Sequence, residues 1–306
     1  MRSLDRKFVT PVLREHNLVS LNADGFMMTR SLAENYPYTS LYKAKLKGAR
    51  NEWLELVDQL ENRETSALDS LKFMLSKLIN RAKHFDHKAN ELIYETSKLN
   101  LKIHTRDDAI SVIQFHMEQV DYASRLLEIG MHALGQAAIE SGSLEPMTLK
   151  PLSQMRSANK KHGNIGDIEF LEQGEIVESW DAKYGKSYLR EELEELNEKL
   201  RDHEHLELAG FVTTEEPERL DEIVGRAKSI EELYSIKIVV FQFRSWVDFI
   251  YEKVTQTELI SEAELSRRWI HIYCLCLCQK RRDHAPIDEP CLNWVEALIS
   301  QLRDME

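Results

Sequence analysis

The spacing of apolar residues changes near residue 166, and this change constrains the fold more than any other feature. Between Pro37 and about Ser141, apolar residues recur every three or four positions, which predicts amphipathic helices. After residue 166, the segments GDIEFLE and EIVESWDAK are typical of short strands on either side of a turn at Gln173-Gly174. The chain must therefore combine a large helical N-terminal part with a sheet.

The sheet is predicted to continue beyond these two strands. The segments LELAGFVTT and SIKIVVFQF are continuous apolar runs, which are typical of strands covered on both faces. Helical segments, SYLREELEELNEKLRDH and ERLDEIVGRAKSIEELY, precede one run each. In the first of these helices a leucine stripe is expected to face the core and the glutamates to face solvent. We therefore expect an α/β or α+β fold in which helices flank a mixed central sheet.

Three further helices are predicted to cover the sheet. One is RSWVDFIYEKV, the next begins at a capping box formed by Ser261 and Glu264, and the last begins near Pro290. Upstream of the strands, residues 140–166 are rich in Ser, Gly, Pro, Asn and Lys, the composition of a connection between packed units. The predicted division is a helical region over residues 1–145 and a core with C-terminal helices over residues 146–306.

The distribution of charge narrows the possible partners. The formal net charge of -12 argues against a protein that coats nucleic acid nonspecifically, because phosphate binding depends on lysine and arginine. A nucleic-acid enzyme is not excluded, because charge acts locally. Residues 146–166 contain Lys150, Arg156, Lys160 and Lys161 and no acidic residue. This stretch is either a basic surface beside a site or an ordinary solvated loop.

Several features favour a cytoplasmic protein. No run approaches the ~20 apolar residues of a membrane span, and the N-terminal segment lacks the apolar block of a secretory signal. Cys274, Cys276 and Cys278 lie too close together for a disulfide framework and are expected to be core thiols. Two weaker alternatives are metal sites, one at His271, Cys274 and Cys278 and one at His84 and His87.

The predicted hairpin carries charges in a pattern that suits a metal site. Successive side chains of a strand point to opposite faces, so Asp181 and Lys183 are predicted to share one face of the second strand. Asp167, at the start of the preceding strand, is expected to lie alongside. Two carboxylates would then converge beside one ammonium group, an arrangement that suits Mg²⁺ with water and phosphate oxygens. The alternative is a charged surface hairpin with a weak ion pair between Asp181 and Lys183.

This arrangement resembles the PD-(D/E)XK nuclease superfamily, in which an Asp begins one strand and a (D/E)-x-K triplet lies on the next. The matching residues are Asp167 and the triplet Asp181-Ala182-Lys183, and Gly166 stands where the family motif has proline. The segments GNIGD and WDAK are particularly similar to type II restriction endonucleases. The resemblance covers roughly residues 160–245 and implies a restriction-endonuclease-like core.

The resemblance implies a Mg²⁺-dependent endonuclease that hydrolyses phosphodiester bonds in double-stranded DNA. Asp167, Asp181 and the backbone carbonyl of Ala182 would bind the metal, and Lys183 would position water and stabilise developing negative charge. Glu169 and Glu178 are further candidate ligands. The candidate phosphate contacts are Lys160, Lys161, Asn164, Tyr184 and Lys186. A homodimer is expected, with one active site per DNA strand, and the helical region over residues 1–145 would serve DNA binding or dimerisation.

Two other functions stay open on the sequence alone. One is a nuclease of the same superfamily that acts in phage defence or DNA repair within a larger complex, and it would not cut plasmid DNA into discrete fragments by itself. The other is a helical binding module with a degenerate site and no metal-dependent cleavage. Serine hydrolases and dinucleotide or P-loop enzymes are disfavoured, because the sequence has no GxSxG, GxGxxG or Walker motif.

Overall fold

The computed structural model of the chain describes residues 7–8, 10–15, 50–98, 102–151, 164–279 and 290–305. These residues fall into two compact units, and the division lies within one long helix, between His87 and Lys88. The predicted functional division at residue 145 stays a prediction. Each unit is described separately below.

The first unit is helical. Its helices are α1 (Thr10–Glu15), α2 (Arg50–Glu61) and most of α3 (Ala67–Thr96). Helix α3 has 30 residues and is therefore about 45 Å long. Its first half carries the exposed apolar side chains of Leu68, Leu71, Phe73 and Met74. Clustered exposed apolar side chains of this kind are typical of interaction surfaces.

The second unit contains the remaining helices. They are α4 (Arg106–Gln119), α5 (Ala123–Glu140), α6 (Arg190–Lys199), α7 (Leu220–Tyr234), α8 (Phe243–Thr255), α9 (Glu262–Gln279) and α10 (Cys291–Asp304). At the start of α9, the Ser261 hydroxyl accepts a hydrogen bond from the Glu264 N–H at 3.3 Å, as its predicted cap requires. No helix in the described ranges is long and apolar enough to cross a membrane.

A five-stranded mixed sheet lies in the second unit. Its strands are β1 (Thr148–Leu149), β2 (Ile168–Glu172), β3 (Glu175–Lys183), β4 (Leu208–Thr213) and β5 (Lys237–Gln242), in the spatial order β1-β2-β3-β4-β5. The first three strands are antiparallel, and β4 and β5 run parallel to β3. Parallel neighbours need crossover connections, and α6 and α7 supply them. The protein is therefore α+β with a mixed sheet, and the predicted strands are confirmed.

The turn between β2 and β3 fixes the register of the hairpin. Glu172 pairs with Glu175, so Gln173 and Gly174 form a two-residue loop. Both loop residues have positive φ, 54° and 92° respectively, as the tight turns favoured in hairpins require. The resulting register pairs Ile168 with Trp180. Asp167, one residue before β2, is therefore placed beside the end of β3 that carries Asp181.

The two faces of the sheet are covered by different helices. Helices α6 and α7 pack on one face through a core that includes Leu193, Leu196, Phe211 and Ile230. Helices α5 and α8 cover the other face, where the Trp180 ring lies between aromatic side chains. Because side chains alternate along β3, the residues on either side of Trp180 face α6. Asp181 and Lys183 therefore point to the α6 side of the sheet.

Candidate active site

Asp181 and Lys183 lie side by side at the end of β3. The Lys183 Nζ is 2.7 Å from Asp181 Oδ2, and both side chains are partly exposed. Strand β3 is the third of five strands, so hydrogen-bonded neighbours on both sides hold these two residues in place. The structure thus brings the two side chains together on one face, as the alternation of strand residues predicts.

Asp167 completes this group from the preceding chain segment. Its N–H donates to the Trp180 carbonyl at 2.9 Å, and its Oδ2 accepts from the Ala182 N–H at 3.0 Å. Burial, the charges of Asp181 and Glu128, and a hydrogen bond with the Asp181 carboxyl raise the pKa of Asp167 well above its ordinary value. The two carboxyl groups are therefore close enough for a hydrogen bond between them.

Lys183 is held in its charged form. Burial opposes the charge, but Asp181, Asp167 and Glu192 outweigh that effect and raise the pKa of the lysine above its ordinary value. A lysine that stays protonated donates hydrogen bonds and offers positive charge, and it is a poor proton acceptor. Lys183 therefore supplies positive charge and hydrogen-bond donors at this end of β3.

Gly166 allows Asp167 to reach this position. A Cβ atom at residue 166 would lie 2.6 Å from Ser179 Oγ and 2.7 Å from the Trp180 carbonyl oxygen. Separations this short do not occur for real Cβ atoms, so the backbone before Asp167 approaches β3 as closely as a glycine permits. The Gly166 N–H also donates to Glu169 Oε1 at 3.3 Å.

The Ala182 backbone also faces this group. Its N–H points to Asp167, and the N–H and C=O of one strand residue point to the same edge of the strand. Two carboxylates and a carbonyl suit Mg²⁺, which keeps several water ligands. Within the described ranges, no group of three or more His, Cys, Asp or Glu side chains is arranged to hold a metal. Any magnesium site here consequently rests on two carboxylates, those of Asp167 and Asp181.

Glu169 is placed away from this pair. Its carboxylate accepts from the Ile165 N–H at 2.6 Å and pairs with Lys150 Nζ at 2.5 Å. The same ammonium donates to Asn164 Oδ1 at 2.7 Å, and Asn164 is buried. Glu169 and Asn164 thus hold the segment before Asp167 in place, and the structure does not bring either side chain to the Asp167–Asp181 pair.

Glu178 lies on the opposite face of the sheet. Its two oxygens accept from Trp180 Nε1 at 2.6 Å and from Lys253 Nζ at 2.5 Å. The carboxylate therefore holds the Trp180 ring in place on the face that both side chains share. The sheet itself separates Glu178 from Asp181.

Besides Asn164, four residues were predicted as phosphate contacts. Tyr184 is exposed just past the site. Lys186 is partly exposed and pairs with Glu192. Lys160 and Lys161 lie outside the described residues.

Two acidic residues near the site were not predicted from the sequence. Glu128, on α5, pairs with Arg125 and helps to raise the pKa of Asp167. Glu192, on α6, is 8% exposed, so the prediction that the glutamates of this helix face solvent is wrong at this position. It is buried because it adjoins the leucine stripe, and Lys186 compensates its charge. No spacing in the sequence identifies either residue, since both reach the site from separate helices.

The cysteines are core residues, as predicted. All four are buried thiols outside any disulfide, and burial raises the pKa of Cys274 well above its ordinary value and that of Cys276 to about 12. Thiols that resist ionisation are poor metal ligands. The Nδ1 of His271, the third residue of the alternative metal site, lies 3.0 Å from Thr96 Oγ1.

Comparison with known proteins gives no assignment. No protein-family model and no curated protein matches this chain.

Proposed function

We propose that this protein is a Mg²⁺-dependent endonuclease for double-stranded DNA, with a PD-(D/E)XK active site most similar to that of type II restriction enzymes. The observation that carries the proposal is the meeting of Asp167, Asp181 and Lys183 at one end of the central strand. Two neighbouring carboxylates repel each other, and a divalent cation bound to both offsets that repulsion. Lys183 then provides the positive charge that an attacked phosphate needs.

The residues have distinct roles in the proposed reaction. Asp167, Asp181 and the Ala182 carbonyl would hold Mg²⁺, which supplies Lewis-acid polarisation of the phosphate and a more acidic water. Lys183 donates a hydrogen bond to the attacking water or to a phosphate oxygen and stabilises the negative charge that develops there. The hydrogen bond from Ala182 to Asp167 keeps the first carboxylate in place.

The arrangement of strands and helices supports the proposal. An antiparallel hairpin carries the acidic residues, and the crossover helices α6 and α7 lead to two strands parallel to the second strand of that hairpin. This order of elements is the one that the resemblance implies for a restriction-endonuclease-like core. We propose a cytoplasmic location, where buried cysteines outside disulfides are usual.

Cleavage of both DNA strands suggests a homodimer with one site per strand. The exposed apolar side chains on the first half of α3, Leu68, Leu71 and Met74 among them, are candidates for the contact between copies. Sedimentation of the full chain measures the oligomeric state directly.

Incubation of the purified protein with mixed duplex DNA and Mg²⁺, followed by sequencing of the new ends, tests the proposal. A type II-like enzyme yields discrete fragments without ATP, and chelation of the metal stops the reaction. Glu175→Gln is the control variant, because Glu175 is exposed at the far end of the same strand and should cut as the parent does. Failure of the folded parent to cut any duplex with Mg²⁺ or Mn²⁺ would reject an autonomous nuclease.

The basic stretch before the site leads to a prediction about DNA affinity. Replacement of Lys160 and Lys161 by Ala should weaken binding and reduce the slope of log affinity against log salt by about 1 per lysine. Binding of a labelled duplex at several salt concentrations measures this slope. Lys228→Ala, at an exposed position on α7, is the matched control and should leave the slope unchanged. Equal slopes for the double variant and the control would assign Lys160 and Lys161 to a passive loop.

A further inference from the structure

A small cavity lies beside Asp181, between β3 and α6. Ser179, Asp181, Glu192 and Lys199 contribute its polar lining, and Gly166 and Leu196 lie at its apolar edge. The centre of a water-sized sphere can occupy about 10 Å³ of this cavity. That is room for a single water molecule.

Two buried polar atoms belong to residues that line this cavity. Ser179 and Glu192 are 2% and 8% exposed, and within the described part of the chain Ser179 Oγ and Glu192 Oε2 have no hydrogen-bond partner. Burial of such atoms without a partner is costly, and buried polar groups in proteins are usually bonded to protein or to ordered water. Two unpaired atoms around one water-sized space point to a shared ligand.

The charges around the cavity favour a neutral ligand. On the α6 side of the cavity, Glu192 pairs with Lys186 through its other oxygen, and Glu195 pairs with Lys199 at 3.0 Å. Both glutamates of the lining thus already have an ammonium partner. An additional cation would lie close to these ammonium groups, whereas a water molecule adds no charge.

We propose that one ordered water molecule occupies this cavity and joins Glu192, Ser179 and Asp181. The water accepts from the Ser179 hydroxyl and donates to Glu192 Oε2 and to the Asp181 carboxylate, which makes the three hydrogen bonds typical of a buried water. The water thereby links α6 to β3. Glu192 and Ser179 become positioning residues for Asp181, and this role, unlike the water site itself, rests on the proposed function.

A double-mutant cycle of thermal unfolding, in metal-free buffer without DNA, tests the water site. The variants are Ser179→Ala, Glu192→Gln and their combination. If one water joins the two residues, the loss in melting temperature of the double variant falls short of the sum of the single losses by about 2 °C or more. Because the two side chains have no hydrogen bond to each other, non-additive losses would point to the water between them. Additive losses would overturn the proposal.

A second cycle controls for simple proximity. Glu195 lines the same cavity but is mostly exposed and pairs with Lys199, so Glu195→Gln combined with Ser179→Ala should be additive. A crystal structure of the parent at high resolution gives an independent measurement. It should show a water within hydrogen-bond distance of Ser179 Oγ and Glu192 Oε2, and an empty cavity would reject the site even if the cycle were non-additive.

The positioning role has its own measurement. Ser179→Ala removes no charge, yet it should raise the Kd for Mn²⁺ by about tenfold, as the loss of a group that orients a metal ligand commonly does. An unchanged Kd would remove the positioning role and leave the water site. Absence of Mn²⁺ binding to the parent would reject the proposed function instead, and the unfolding cycle would still decide the water site.

Discussion

Lys183→Ala should lower the rate of Mg²⁺-dependent DNA cleavage by about 10²–10³-fold, which is the usual cost of losing one group that stabilises transition-state charge. Lys183 is charged and lies 2.7 Å from Asp181, so its removal leaves both carboxylates in place. Single-turnover cleavage of duplex DNA measures the rate, and titration calorimetry with Mn²⁺ measures the metal affinity. We expect the affinity to change little, because the carboxylates bind the metal.

Asp181→Asn should have the complementary effect at the same site. The substitution keeps the shape but removes a negative charge, so affinity for Mn²⁺ and cleavage should both fall while the protein stays folded. Cleavage at the parent rate by either folded variant would show that the site is misassigned. The exposed Glu175→Gln variant, on the same strand, should match the parent in both assays.

Thermal melts of Asp181→Asn and of the parent at several pH values, without metal, measure the repulsion between the Asp167 and Asp181 carboxylates. Burial and Asp181 raise the pKa of Asp167, so the folded protein binds this proton more tightly than the unfolded chain does. This proton stabilises the folded parent below about pH 4, near the pKa of Asp in the unfolded chain. The stabilisation is lost as the pH rises from there through the raised pKa of Asp167 in the folded protein. We expect the Asn variant, which lacks the Asp181 charge, to lose less stability than the parent over this rise in pH.

Gly210→Ala should reduce the free energy of unfolding by about 3 kcal/mol, at the upper end of the usual cost of overpacking a core. A Cβ atom at residue 210 would lie 2.2 Å from the Trp180 ring, and Trp180 is fully buried. The ring cannot retreat easily, because it stacks on Phe241 with ring centroids 5.8 Å apart and meets Trp246 edge-on. Urea unfolding followed by tryptophan fluorescence measures the loss.

Gly225→Ala is the matched control for this substitution. Gly225 lies within α7. Apart from its two adjacent residues and the nearby backbone of the helix, no described atom lies within 4 Å of a Cβ built there. Alanine at an unobstructed helix position should stabilise the protein by about 0.5–1 kcal/mol. A Gly210→Ala variant as stable as the parent would mean that Trp180 does not pack over β4.

The regular elements around the site follow from local patterns in the sequence. The alternation in GDIEFLE and EIVESWDAK and the two-residue turn between them determine the hairpin, because period and turn act over a few residues. The continuous apolar runs likewise indicate β4 and β5 as strands covered on both faces. Asp181 and Lys183 meet for the same local reason, since they are two residues apart on one strand.

Features that depend on distant chain segments were not predictable in this way. Strand β1 has only two residues, so it has no period, and it forms by pairing with Phe170 and Leu171. Glu192 looks like its exposed neighbours on α6 until the packing of that helix on the sheet places it beside Lys186. Glu128 reaches the site from α5, and its effect on Asp167 depends on helix packing that no motif encodes.

The close approach of Gly166 to β3 also restricts which residue position 166 can hold. Proline carries a Cβ and lacks an N–H, so it would collide with Ser179 Oγ and lose the hydrogen bond to Glu169. Any other residue with a Cβ would meet the same obstruction. The segment before Asp167 can therefore lie against β3 in this way only with glycine at residue 166.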